Sequence, residues 1–254
     1  MTDKGAALVT GAGKRLGRAM ALRLAERGYD VAFHYAGSKD AAEEAAAEAR
    51  ALGVKAVALR ADLLDEDETA ALLPAAAEAL GPLSVLINNA SIFEHDTLAS
   101  ATRQSWDRHI GSNLRAPFVL TQAFAAQVPE DRYPPALVVN MIDQRVRKLT
   151  PEFMTYTIAK MGLWAFTRTA AQGLAPRIRV NAIGPGPTMQ GARQSAEHFA
   201  RQQAATPLAR GSSPKGILTA LDYLLDADEV TGQLICVDGG QHLNWQTPDV
   251  LGVE

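Results

Sequence analysis

Cys236 is the only cysteine among 254 residues, so one chain can build neither a disulfide framework nor a thiolate-rich metal site. Its apolar neighbours mark it as an inert buried thiol. The five histidines, His34, His95, His109, His198 and His242, show no pairing at the helical or finger spacings of zinc ligands. No apolar run approaches the roughly 20 residues that a membrane-spanning helix requires, so no membrane partner is expected. Lysine and arginine are scattered and the formal net charge is only −3. The electrostatic footprint of a nucleic-acid binder is therefore missing. No proline- or serine-rich stretch divides the chain, which predicts a single domain over 1–254. With 47% hydrophobic and 21% charged residues the chain can fill a core, and disorder is excluded. The first strand begins near Gly5, leaving no room for a cleavable leader, and a cytoplasmic location is the expectation.

What the sequence does contain is an alternation of short apolar runs with longer segments of helical period. Strand-length runs fall at Ala6–Thr10, Val31–Tyr35, Ala56–Leu59, Val85–Asn88, Leu137–Met141, Arg179–Ile183 and Leu234–Val237. Between them lie Leu16–Arg27, Asp40–Leu52, Glu66–Leu80, a stretch around Trp106–Gln127, Thr155–Leu174 and Gly216–Leu225, each able to form a crossover helix. Gly28, Gly53 and Gly81-Pro82 punctuate the first three helix ends. Strict alternation of this kind predicts an α/β fold, a doubly wound, seven-stranded parallel sheet with helices on both faces. The Ala/Glu-rich run Ala41–Ala51 reads as strong helix former and nothing more. The irregular segment 184–214 follows a strand C-terminus, the edge where open parallel sheets bind ligands. It is expected to be a mobile lid over the site, with an ordinary surface excursion as the other reading.

The first strand runs into Thr10-Gly11-Ala12-Gly13-Lys14-Arg15-Leu16-Gly17 and then a helix. Glycines there let the backbone approach a pyrophosphate, while the helix N-terminus offers free N–H groups and the positive dipole end. The position, at the first strand-to-helix junction of an alternating chain, is the context that gives such a loop meaning as a Rossmann-type dinucleotide site. A site selective for NAD carries a carboxylate at the end of the second strand. This chain has Phe33-His34-Tyr35-Ala36-Gly37-Ser38 instead. Lys14, Arg15, His34 and Ser38 suit the extra 2′-phosphate of NADP, so NADPH is the expected cofactor. Lys14 and Arg15 read alternatively as solvated loop charges. Asp62, after the third strand, is placed either to meet the adenine or to cap the next helix.

Tyr156 and Lys160 stand four apart on one predicted helix face. A phenol titrates near ~10, and a neighbouring ammonium favours the phenolate and eases release of its proton, the equipment of a general acid beside a carbon that receives hydride. Taken with the glycine loop, Asn88-Asn89-Ala90, Asn113, Pro185-Gly186 and Asp238-Gly239-Gly240, the chain resembles the short-chain dehydrogenase/reductase family over nearly its whole length. The likeness implies that Asn113, Tyr156 and Lys160 are catalytic. It places Gly11, Leu16, Gly17, Tyr35, Leu63, Asn89, Ala90, Ser91, Tyr156, Lys160, Pro185, Gly186 and Thr188 along the cofactor, with Lys160 on the nicotinamide ribose, and it implies a homotetramer.

Three departures narrow the resemblance. Arg15 replaces a loop glycine, Asp143 replaces the serine usual thirteen residues before the tyrosine, and Ser91 replaces the glycine of Asn-Asn-Ala-Gly. All three are similar to the pteridine reductases, including the bacterial dihydromonapterin reductases. A carboxylate accepts hydrogen bonds, so Asp143 suits the N–H groups of an amino-pyrimidine, or the tyrosine proton, better than a carbonyl oxygen. Phe93 could stack on a flat pterin or serve ordinary packing. Ser91, Phe93, Asp143 and Tyr156 are thus expected to bind a dihydropterin, dihydromonapterin or dihydrofolate, reduced by NADPH at a C=N bond. A carbonyl reductase of the 3-oxoacyl type is the competing enzyme. A non-catalytic dinucleotide sensor is the competing class, against which the intact Tyr/Lys pair speaks.

Overall fold

In a computed structural model, residues 4–190 and 194–246 are described; 191–193 of the expected lid and both chain ends lie outside them. Seven strands form one parallel sheet: β1 (Ala6–Val9), β2 (Asp30–Tyr35), β3 (Ala56–Arg60), β4 (Leu83–Asn88), β5 (Ala136–Met141), β6 (Ile178–Pro185) and β7 (Leu234–Val237). The spatial order is 3-2-1-4-5-6-7, every neighbouring pair running parallel. The order reverses between β1 and β4, and the crevice beyond their C-terminal ends is where open sheets of this kind receive ligands.

Because both faces are covered, the strands carry unbroken apolar runs rather than alternation. Val9, Phe33, Val85 and Val139 join the core beneath α1 (Arg15–Glu26), α2 (Lys39–Ala51) and α8 (Pro214–Asp226). Leu8, Leu86, Val138 and Val180 pack on the other face against α3 (Glu66–Leu80), α5 (Ala116–Gln127) and α6 (Met154–Leu174). The alanines of α2 at 42, 45, 46 and 49 are all fully buried, so this low-complexity run is a helix brought close to the sheet by its small side chains.

Two segments differ from the expected elements. The stretch around Trp106–Gln127 is not one helix: α4 (Arg103–Ile110) passes through a π-helical turn at Gly111–Arg115 before α5 begins. Such bulges tend to occur at functional sites, and Asn113 sits inside this one. The irregular segment after β6 contains a further helix, α7 (Ala196–Ala204), capped by Ser195. Four prolines and several glycines hid its nine residues. No helix of the described residues is long and apolar enough to cross a membrane.

Candidate active site

The glycine loop is held from below by a histidine. His34 Nδ1 accepts the Gly11 N–H at 3.0 Å, its Nε2 meets the Ala61 carbonyl at 3.0 Å, and its own carbonyl accepts the Ala12 N–H at 2.8 Å. With the ring 1% exposed and its pKa lowered by burial, His34 has no nitrogen left for a phosphate. The expectation that it faces the 2′-phosphate is corrected: it is a prop. On the other flank, the Thr10 hydroxyl accepts the N–H groups of Asn89 and Ala90, both at 2.9 Å, and Asn89 returns a bond to the Thr10 carbonyl at 2.8 Å. The loop, the start of α1 and the segment after β4 pack so closely that a Cβ on Gly17 would lie 2.1 Å from the Gly11 carbonyl oxygen and 2.5 Å from Asn89 Nδ2. Only glycine fits there.

Arg15 is a non-glycine residue with φ +53°, a conformation that costs on the order of 1 kcal/mol. Its guanidinium donates to the carbonyls of Met189 at 3.1 Å and Gln190 at 2.9 Å, and it lines the same cavity as Asp143 and Tyr156. The expectation that Arg15 faces a 2′-phosphate is corrected: its guanidinium is bound at the cavity instead. Ser38 packs against the loop, so close that a Cβ on Gly13 would stand 2.7 Å from its Oγ. Lys14 is exposed beside it and occupies the N-cap of α1 without a side-chain cap, leaving the first-turn N–H groups open to an anion.

The remaining positions sort by depth. Tyr35 ends β2 almost buried, and the Leu63 side chain belongs to the core. Asp62 does not cap α3. Its Oδ1 accepts the Leu64 N–H at 3.0 Å, while Asp65 caps the helix by accepting the N–H groups of Asp67 and Glu68. Pro185, Gly186 and Thr188 border the cavity together with Leu16; Thr188 donates to the Gly186 carbonyl at 3.0 Å.

At the bottom of that cavity, of about 350 Å³, the Tyr156 hydroxyl donates to Asp143 Oδ2 at 3.0 Å, and Asp143 Oδ1 accepts the Arg145 N–H at 2.8 Å. Burial raises both pKa values, and the adjacent carboxylate drives the phenol further, well above its ordinary 10. The expected easing of proton release by a neighbouring ammonium therefore meets an opposing effect from burial and Asp143. Lys160 does not reach the phenolic oxygen: its Nζ donates to the Met141 carbonyl at 2.8 Å and lies 5.7 Å from the Tyr156 ring centre. Burial lowers the lysine to about 8, with Asp143 opposing the shift. Tyr156 consequently keeps its proton and points it at Asp143.

Asn113 is fully buried in the π-helical turn, where its amide donates to the Ile92 carbonyl and accepts the Ile92 N–H, both at 2.8 Å. Tied at both ends to the backbone of Ile92, the side chain positions the Ser91–Phe93 loop. Ser91 stands next to the Tyr156 phenol. Phe93 packs its edge on Tyr156, ring centres 4.7 Å apart, and stacks on Phe153 at 4.3 Å with planes 6° apart. Phe153, Gln144, Arg145, Met189 and Phe199 at the site escaped the sequence reading. Only their position between Asp143 and Tyr156, or after β6, could have drawn attention to them.

A family model described as Enoyl-(Acyl carrier protein) reductase matches residues 11–242. The 3-oxoacyl-[acyl-carrier-protein] reductase FabG of Staphylococcus aureus is 36% identical over 242 residues, covering 93% of this chain and 98% of that protein. Among solved structures, the FolM alternative dihydrofolate reductase 1 of Brucella canis, complexed with NADP, is 42% identical with a TM-score of 0.93, covering 98% of both chains. Its counterpart from Brucella suis, also with NADP, has the same identity and TM-score, covering 98% of this chain and 100% of that one. Matched by its model from the glycine loop through to His242, the chain belongs to the short-chain dehydrogenase/reductase family of oxidoreductases.

Proposed function

We propose that this enzyme uses NADPH to reduce a pteridine, a dihydropterin, dihydromonapterin or dihydrofolate, to its tetrahydro form. The observation that carries the reading is the bond from the Tyr156 hydroxyl to Asp143 Oδ2 at the floor of a cavity walled by Ser91 and Phe93. A ring offering N–H donors matches a carboxylate acceptor, whereas a ketone oxygen offers it nothing. The solved relatives at 42% identity are described as alternative dihydrofolate reductases holding NADP.

NADP(H) fits the residues present. The uncapped N-terminus of α1 would offer its N–H groups to a pyrophosphate, the glycines at 11 and 17 let the loop pack against Asn89 and Ala90, and Lys14 with Ser38 would take the 2′-phosphate. Asn89, Ala90, Pro185, Gly186 and Thr188 would border the nicotinamide, with Lys160 on its ribose. When bound, NADPH supplies the hydride. Tyr156 supplies the proton, directly or through a water it orders, and Asp143 holds that hydroxyl in line while its own pKa, raised by burial, lets it share the proton. Arg15, anchored to the Met189 and Gln190 carbonyls, closes the cavity from the nucleotide side.

A second reading, reduction of a 3-oxoacyl thioester, is favoured by the 36% identity to FabG. Side-by-side NADPH oxidation assays with dihydrobiopterin, dihydromonapterin, dihydrofolate and a β-keto ester separate the two. The pteridine reading expects the highest kcat/KM on one of the first three; a higher value on the keto ester replaces it.

The same reading places the enzyme in the cytoplasm as a homotetramer. A shallow apolar surface between α5 and α6, bordered by Phe118, Ala125, Phe166, Ala170 and Leu174, supports association with further copies. Light scattering on the eluted protein tests it, and a monomeric mass would refute it.

A further inference from the structure

The helix that carries Tyr156 begins in an unusual way. Phe153, at the N-cap of α6, has φ +57° and offers no side-chain cap, so the first N–H groups of the helix need acceptors from elsewhere. Asp96, from the loop after β4, provides them. Its carbonyl accepts the Met154 N–H at 3.3 Å and its carboxylate Oδ1 accepts the Thr155 N–H at 3.1 Å. The Thr155 hydroxyl donates to Asp96 Oδ2. With its hydrogen committed there, that hydroxyl accepts from His109 Nδ1 at 2.7 Å, and His109 Nε2 accepts the Glu94 N–H at 3.1 Å.

Every polar atom in this chain of bonds has a partner, and the three side chains are buried, Asp96 at 3%, His109 at 0% and Thr155 at 2% exposure. A buried carboxylate at a helix N-terminus is held by the dipole as well as by its bonds, and its pKa stays low despite burial. Burial lowers His109, which keeps the ring in the neutral form that this donor and acceptor pattern needs. The groups bolted together belong to three elements: the 91–96 loop with Ser91 and Phe93, helix α4, and the first turn of α6 with Tyr156.

We propose that Asp96, with Thr155 and His109, is a positioning device that caps α6 from outside and fixes the Tyr156 hydroxyl relative to the Ser91–Phe93 wall of the substrate cavity. The inference rests on the reductase reading above. None of the three side chains touches the reacting atoms. They act through Tyr156, whose misplacement by about 1 Å is the kind of error that costs ~10²-fold in rate.

The test uses NADPH-loaded enzyme, with kcat expressed per NADPH site counted by fluorescence titration. Thr155→Val, which keeps the shape but deletes the hydroxyl, should lower kcat about tenfold, with NADPH affinity within about twofold and a larger solvent isotope effect as proton delivery becomes slower. Thr155→Ser should restore both. Asp96→Asn should behave like Thr155→Val and speed amide exchange at residues 154–157. A merely structural role would lower the melting temperature and the number of NADPH sites, leaving kcat per site and the isotope effect unchanged; that result overturns the proposal. Wild-type enzyme inactive on pteridines and keto ester alike would overturn the reductase reading, and the catalytic purpose of the brace with it.

Discussion

Tyr156 gives its hydrogen bond to Asp143, 3.0 Å away, and burial raises the pKa of both groups above their ordinary values. In this chain the carboxylate, not the lysine ammonium, is the immediate partner of the phenol.

Replacing Tyr156 with Phe removes the proton donor and little else, since the ring packing against Phe93 survives. Turnover should fall by ~10²–10⁴, while the NADPH dissociation constant stays within about twofold. Steady-state rates beside fluorescence titration check this, and a Phe variant with full activity removes Tyr156 from the chemistry.

Cofactor choice is expected to depend on Lys14 and not on Arg15. Lys14→Ala should narrow the ratio of kcat/KM for NADPH over NADH by about tenfold, the worth of one charge-assisted bond to a phosphate. Arg15→Ala should leave that ratio within about twofold and raise the substrate KM, because its guanidinium borders the substrate cavity. The reverse pattern would restore Arg15 to the phosphate corner.

At Gly17 even one methyl group has no space, the Gly11 carbonyl standing 2.1 Å from its ideal Cβ. Gly17→Ala should destabilise the fold by about 1–3 kcal/mol through overpacking and abolish tight NADPH binding. Denaturant melts and cofactor titration measure the two effects separately.

Burial brings Lys160 down to about 8 from 10.5, and activity and stability should respond in opposite directions. The ammonium is lost as pH rises through about 8, so kcat/KM for NADPH, which reports the free enzyme, should fall on that limb. The unfolded chain binds more protons than the folded one between about 8 and 10.5. The stability contributed by this group therefore rises with pH across the same window. Lys160→Met should remove both trends; rate profiles and thermal melts from pH 7 to 10 decide.

Most of the fold was legible because its signals are local. Apolar runs and glycine punctuation place all seven strands within a residue or two, and the loop at 10–17 falls at the first strand-to-helix junction; the strand order that opens a crevice between β1 and β4 came from the fold. Asp143, Tyr156 and Phe93 meet as their spacing and resemblance suggest. What sequence did not convey is direction. Arg15 has a positive φ, and its guanidinium is spent on the Met189 and Gln190 carbonyls beside the cavity. His34 carries the right chemistry for a phosphate but ends inside the protein, since β2 is buried on both faces and the ring is taken up by Gly11 and Ala61. Asp96, Thr155 and His109 are far apart in the chain and of ordinary residue types, so nothing short of the folded contacts could reveal their union.

The prop under the glycine loop gives the nucleotide end an acid limit of its own. His34 can accept the Gly11 N–H only while that ring nitrogen is bare. Its folded pKa lies below 6.5, so acidification through 6.5 and beyond draws the chain toward states in which the ring carries a second proton. There the loop's main-chain N–H would confront a cation instead of a lone pair. Protonation of His34 would thus undo the loop geometry that a bound nucleotide needs, an acid sensitivity seated apart from the Tyr156–Asp143 pair.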